Sequence, residues 1–117
     1  MKKNNIGKEA LKLHKKLKGK IEIGAKAPIH SLGDLSLFYT PGVGAVATHL
    51  ANNPKDLREM TMKGNSILIV SDGSAVLGLG NIGPAGAMPV MEGKAMIFRQ
   101  FAGVNAYPII LATQDTE

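Results

Sequence analysis

Ser66-Ile67-Leu68-Ile69-Val70-Ser71-Asp72-Gly73-Ser74 is the most informative stretch of this chain, together with its continuation to Phe101. Ile67 to Val70 is a short, largely β-branched apolar run, which predicts a strand buried on both faces. Ser71-Asp72-Gly73-Ser74 predicts a turn, and the glycine-rich Gly78-Leu79-Gly80-Asn81-Ile82-Gly83-Pro84 follows it. Pro89 to Phe101 predicts a helix with proline in its first turn, ended by Gly103. Tyr107 to Ala112 reads as a second buried strand. Strand, helix and strand at this spacing form a βαβ unit, whose strands pair in parallel through a right-handed crossover. The fold class is therefore α/β, a βαβ unit in a mostly parallel sheet preceded by short amphipathic helices. Two strands alone leave such a sheet without the layers its faces need, so the domain reads as incomplete.

Upstream, Met1 to Ile6 is polar and reads as frayed. Ala10, Leu11, Leu13, His14 and Leu17 predict an amphipathic helix over 8–18, stopped by Gly19. Its apolar stripe must pack on its own domain or on a neighbouring subunit, with His14 a partly covered packing residue beside it. Lys20-Ile21-Glu22-Ile23 alternates and can form an edge strand, and residues 24–34 read as a loop. Thr40-Pro41 has the form of a helix N-cap and first turn, and Val43, Val46, Ala47, Leu50 and Ala51 supply the helical face behind it. Asn53-Pro54 repeats the signal for a short helix to Met60, and Gly64-Asn65 marks a turn.

The 117 residues allow at most one domain. The chain has no cysteine, which excludes disulfides and thiolate metal sites. No apolar run approaches a membrane span, and no signal-like segment is present, so the expectation is a cytoplasmic protein that does not engage a membrane. The net charge of +5 hints at nucleic acid, but the basic residues cluster at the N-terminal end, from Lys2 to Lys26, and the remainder is close to neutral. That cluster holds no arginine for bidentate contacts and no interleaved aromatics for stacking, which argues against a nucleic-acid partner.

Two residues invite a chemical reading. Lys94 sits inside the stripe formed by Val90, Ile97, Phe98 and Phe101, widened by Met91, Ala95 and Ala102. It either snorkels past the apolar edge or is desolvated, in which case it sheds its proton readily enough to act as a general base. Tyr39 lies just ahead of the helix beginning near Pro41, where free N–H groups favour negative charge. It is either an ordinary packed tyrosine or a proton donor. His30 has no partner at metal-ligand spacing and receives no role. Gly78, Gly80 and Gly83 match G-x-G-x-x-G, but Gly78 comes long after Val70, and Pro84, Gly86 and Pro89 postpone the helix. That context is wrong for a dinucleotide site and suits close approach of backbone to a small ligand.

The combination of Tyr39-Thr40-Pro41-Gly42-Val43-Gly44, Ser71 to Pro84, and Pro89-Val90-Met91-Glu92-Gly93-Lys94 resembles the N-terminal domain of malic enzyme in its small, bacterial-type branch. The likeness runs from about Glu9 to the last residue. It implies oxidation of malate at C2 with NAD or NADP, decarboxylation at Mg2+ or Mn2+, and tautomerisation of enolpyruvate to pyruvate. On the resemblance, Lys94 is the base that takes the hydroxyl proton, and Tyr39 is the acid that protonates C3 of the enol.

The family's metal ligands and its dinucleotide-binding domain lie downstream of this sequence, so Asp72, Glu92, Asp115 and Glu117 are not carried over as ligands. No residue here is assigned to the cofactor or the metal, and the chain alone is expected not to turn over malate. The resemblance divides the chain into a basic helix and arm over 1–23, expected to contact a second copy in a homodimer, and a truncated substrate-side domain over 24–117. The alternative is a non-catalytic fragment that keeps the dimer-forming surface.

Overall fold

The structure, a computed structural model, describes residues 3–115. It divides into two compact units: the residues up to Glu22 with those from Ser66 onward, and Ile23–Asn65. The first unit contains the helix α1 (Lys3–Leu17) and the predicted βαβ core. That core comprises β1 (Ser66–Ser71), the long helix α5 (Gly83–Ala102) and β2 (Asn105–Ile110). The strands are parallel, with Ser66 opposite Asn105 and Ser71 opposite Ile110, and Leu111 N–H donating to the Ser71 carbonyl at 2.8 Å continues the ladder.

One face of the sheet is covered. Ile69 and Ala106 meet Met91 and Ala95 of α5, and Ile21 and Ile110 pack around this cluster. The expectation that β1 is buried on both faces fails. Leu68 and Val70 point away from α5 and remain exposed, and among the described residues no layer covers them. The inward face of α5 is only partly the expected one: Met91 and Ala95, which widened the predicted stripe, face inward, but the centre of that stripe does not. Ala87, Met91 and Ala95 are buried, at i, i+4 and i+8, whereas Val90, Ile97 and Phe101 are exposed. Small alanines allow the helix axis to approach the sheet, which bulkier side chains would hold off.

The helix also begins earlier than Pro89. Pro84 occupies its first turn, where a missing N–H costs nothing, and Pro89 is accommodated within the helix. Its C-terminus is as expected: Gly103 adopts φ 66°, its N–H reaches Arg99, and Val104 N–H reaches the Phe98 carbonyl. Helix α1 starts at Lys3 rather than Lys8, so the reading of its first residues as frayed fails from Lys3 on and lies outside the described residues before it. After α1, Lys20–Ile23 is not a strand. Ile21 tucks onto the core, and the Lys20 ammonium donates to the Pro89 carbonyl of α5.

The second unit is helical: α2 (Leu32–Phe38), α3 (Gly42–Asn52), a 3₁₀ turn Pro54–Asp56, α4 (Leu57–Met60) and a 3₁₀ turn Met62–Asn65. Part of the predicted loop is thus α2, started by a capping box. Asp34 N–H donates to Ser31 Oγ at 3.0 Å, and Asp34 Oδ2 receives the N–H groups of His30 and Ser31, each at 3.0 Å. These donors, His30 N–H first and then the Ser31 hydroxyl, hold the Asp34 carboxyl below its usual range, against a small opposing effect of burial. His49 Nε2 pairs with Asp56 at 2.8 Å and ties the end of α3 to the following turn.

Gly73 is the tightest point of the βαβ unit. It has φ 74°, and a Cβ added there would lie 2.1 Å from the Gly83 carbonyl oxygen. The Gly73 carbonyl accepts Ile82 N–H at 3.1 Å and Gly83 N–H at 3.2 Å, closing the loop between β1 and α5 at its base. Replacing Gly73 by alanine therefore forces two backbone segments apart. Gly73→Ala is expected to destabilise the chain by about 2 kcal/mol or more, seen as a lower urea midpoint at unchanged slope. An unchanged midpoint would show that the two segments separate without cost.

Candidate functional site

The C-terminal ends of β1 and β2 lie side by side, and in open parallel sheets this edge is where ligands bind. The loop from Asp72 to Ile82 follows β1 here, and Gln114 follows β2. Asp72 opens the loop with an Asx turn, its Oδ1 accepting Ser74 N–H at 2.9 Å and Ser74 Oγ–H at 2.7 Å. Val76 is the loop's buried anchor at 5% exposure. Val76 N–H donates to the Gly80 carbonyl, and Gly80 N–H returns to Val76, each at 2.9 Å. Gly78 and Gly80, at φ 79° and 71°, supply the left-handed conformations this miniature hairpin needs. Leu77 and Leu79 project from it into solvent.

At the base of the loop, Asn81 and Gln114 exchange side-chain bonds. Asn81 Nδ2 donates to Gln114 Oε1, and Gln114 Nε2 donates to Asn81 Oδ1, each at 3.0 Å. Asn81 Oδ1 also accepts Gly83 N–H at 3.2 Å. The sequence reading passed over this pair. Its signal was available in the βαβ topology, which brings the residues just after two parallel strands to one edge.

A dinucleotide does not fit this helix start. The sequence argument that the helix is postponed fails, since Gly83 is the first residue of α5. The obstacle is that Gly83 N–H is already shared by Gly73 and Asn81, and Pro84 has none. The first two helical positions thus offer no free donor to a pyrophosphate. Nor do the described residues fit a divalent cation: no three His, Cys, Asp or Glu side chains among them converge.

Lys94 lies on α5 in the first unit. It is exposed, so the burial required by the desolvated reading is not present in this chain, and its ammonium meets no partner among the described residues. Of the apolar stripe read around it, Val90, Ile97 and Phe101 are exposed, while Met91 and Ala95 are buried. Tyr39 belongs to the second unit, at the corner between α2 and α3. Its N–H donates to the Leu35 carbonyl at 2.8 Å, and its own carbonyl accepts Val43 N–H at 2.7 Å. The N-cap of α3 is Pro41, not Thr40, and no side chain caps this end. Gly42 makes the corner possible, since a Cβ there would lie 2.5 Å from the Leu37 carbonyl oxygen. Tyr39 is 65% exposed, and its hydroxyl has no partner among the described residues.

The family model for the malic enzyme N-terminal domain matches residues 18–117. The chain belongs to the malic enzyme family. It is 52% identical over 113 residues to an NAD-dependent malic enzyme of Geobacillus stearothermophilus, a match covering 97% of this chain and 23% of that protein. It is 43% identical over 101 residues to an NADP-dependent malic enzyme of Halomonas elongata, covering 86% of this chain and 24% of the relative. The solved malic enzyme of Pyrococcus horikoshii superposes with a TM-score of 0.89 at 47% identity, over 94% of this chain and 26% of the other. The chain thus spans about a quarter of the length of these relatives, which use NAD in one case and NADP in another. The malic enzyme N-terminal α/β fold is the one described above, and no described helix is long and apolar enough to cross a membrane.

Within the loop, the Asp72 carboxyl is held below its usual range, chiefly by Ser74 N–H and next by the Ser74 hydroxyl, with burial acting weakly the other way. A folded value below the ordinary 3.8 means that the turn's stabilisation is fully present above 3.8 and is lost as pH falls from there through the folded value. Ser74→Ala keeps the N–H and removes the hydroxyl, so the Asp72 midpoint should rise part of the way to its ordinary value. Carbon-detected NMR titration of the Asp72 carboxyl measures this, and an unmoved midpoint would rule out a contribution from the hydroxyl.

Proposed function

We propose that this chain is the substrate-side domain of a small-type malic enzyme, working in the cytoplasm on malate and yielding pyruvate, CO2 and NADH or NADPH in the complete protein. The observation that carries this reading is the family match over residues 18–117, which encloses both Tyr39 and Lys94 within the motifs that resemble the family. Availability supports the two roles, since both polar groups are unengaged among the described residues. Lys94 takes the proton from the C2 hydroxyl of malate as that carbon is oxidised. Tyr39 donates its phenolic proton to C3 of the enol left by decarboxylation.

The nicotinamide cofactor, NAD or NADP, and the divalent metal, Mg2+ or Mn2+, belong to the complete enzyme, with their binding residues outside this chain. The chain by itself is inactive in this reading. Residues 1–23 form an arm that contacts a second copy, and 24–117 form the substrate-side domain. Support for the arm comes from α1, where Ile6, Leu13 and Leu17, at i, i+7 and i+11, are all exposed. The same exposed stripe favours the second reading, a non-catalytic fragment that retains only this dimer contact.

Kinetics in the complete polypeptide separate the two roles. Lys94→Ala should lower malate oxidation by about 10²–10⁴-fold while decarboxylation of supplied oxaloacetate falls much less. Equal loss of both would assign Lys94 a structural role. Tyr39→Phe should instead slow pyruvate formation from enolpyruvate and reduce incorporation of solvent deuterium at C3. Normal incorporation would remove Tyr39 as the acid.

A further inference from the structure

We propose that Asn81 and Gln114 form an amide clasp that holds the glycine-rich loop in its substrate-receiving conformation, making both positioning residues of the malate reaction. This rests on the function proposed above. The clasp is reciprocal, each amide donating to and accepting from the other at 3.0 Å. It is also branched: Asn81 Oδ1 takes Gly83 N–H at 3.2 Å, and Gln114 Nε2 reaches the Asp72 carbonyl at 3.5 Å. One pair of side chains thereby joins the segment after β2, both ends of the loop and the first residue of α5.

Its position separates it from the core. The packed cluster of Ile69, Met91, Ala95 and Ala106 builds the βαβ unit, while Asn81 and Gln114 are exposed. Exposed amide bonds add little to global stability, because water replaces them when they break. What they restrict is the loop. Of residues 74–81 only Val76 is buried, and the hairpin from Val76 to Gly80 bonds to itself, so it can move as one piece about its base. The Gly73 carbonyl ties that base to α5, and the clasp alone among the described residues ties it by side chains to the segment following the second strand. A loop released there spends less time in the competent conformation, and apparent affinity falls by that fraction while the chemistry of the bound complex is unchanged.

The test has two readouts. In the 117-residue chain, Asn81→Ala and Gln114→Ala should each speed amide hydrogen exchange at Ile82, whose N–H closes the loop's base on the Gly73 carbonyl, by about 3–10-fold. Exchange at Ile69 should stay as it is, and the double variant should be no faster than either single one. In the complete polypeptide the KM for malate should rise by a similar factor with kcat retained. Asn81→Asp accepts from Gly83 and Gln114 but cannot donate, and should fall between. Unchanged exchange at the loop, or additive effects in the double variant, overturns the clasp. A loosened loop with unchanged KM overturns its positioning role. A loosened loop in a complete protein whose unsubstituted form does not turn over malate overturns the proposed function, and the positioning role with it, while leaving the clasp itself intact.

Discussion

Everything in the first unit depends on how closely α5 can approach the two strands. Ala95 is 1% exposed and Ala106 is 6% exposed, and between them stand only Met91 and Ile69 as larger side chains. An interface of this kind brings backbones near one another and gains its stability from close packing over a small area. Methionine suits the remaining gap because its unbranched chain adapts to irregular space. The same closeness fixes the loop end: with α5 pressed on the sheet, its first residue lies against the turn after β1, and only glycine at 73 leaves room for the Gly83 carbonyl.

This explains which parts of the fold were legible in the sequence. Ile67–Val70 and the segment around Tyr107 read as strands because β-branched runs bounded by turn residues have few other uses. Gly103 ended the helix for the simple reason that a left-handed residue there is cheapest as glycine. The buried face of α5 was centred too far round the helix, although it included Met91 and Ala95, because Val90, Ile97 and Phe101 carry more hydrophobic weight than these small or slender side chains. Apolarity measures what gains from burial, whereas closeness selects for small size, and here size prevailed. Helix α2 was hidden for another reason. Its Ser31-Leu32-Gly33-Asp34 start is a capping box, but Gly33 and the nearby Pro28 suggested a loop, and α2 is too short for periodicity to outweigh them. Lys20–Ile23 alternates like a strand, yet alternation without a hydrogen-bonding partner yields only an extended arm.

The candidate site was reached by a different route. The roles of Tyr39 and Lys94 came from the resemblance of their motifs to malic enzyme, and physical reading of each residue alone left a structural explanation open. The structure shows why. Lys94 is exposed, as are Val90 and Ile97 beside it, so the surroundings that would distinguish a base from a surface lysine are not present among the described residues. Among the described residues of the first unit, Val90, Ile97 and Phe101 of α5, Leu68 and Val70 on the outer face of the sheet, and Ile6, Leu13 and Leu17 of α1 are apolar and exposed.

The polar edge obeys another rule. A packed core resists opening because many contacts must break together, whereas the loop after β1 is held by a handful of hydrogen bonds in reach of water. Such a segment can order and disorder at small cost, which is what a ligand-binding loop requires, yet it must still find one conformation often enough to be useful. Self-bonding of Val76 with Gly80 preserves the hairpin's shape, the Gly73 carbonyl sets where it hinges, and the Asn81–Gln114 exchange limits how far it swings. Stability and positioning are thereby assigned to different residues. The core at Ile69 and Ala106 can keep the strands paired whether or not the loop is closed, and the loop can adjust to a ligand without disturbing the helix that carries Lys94.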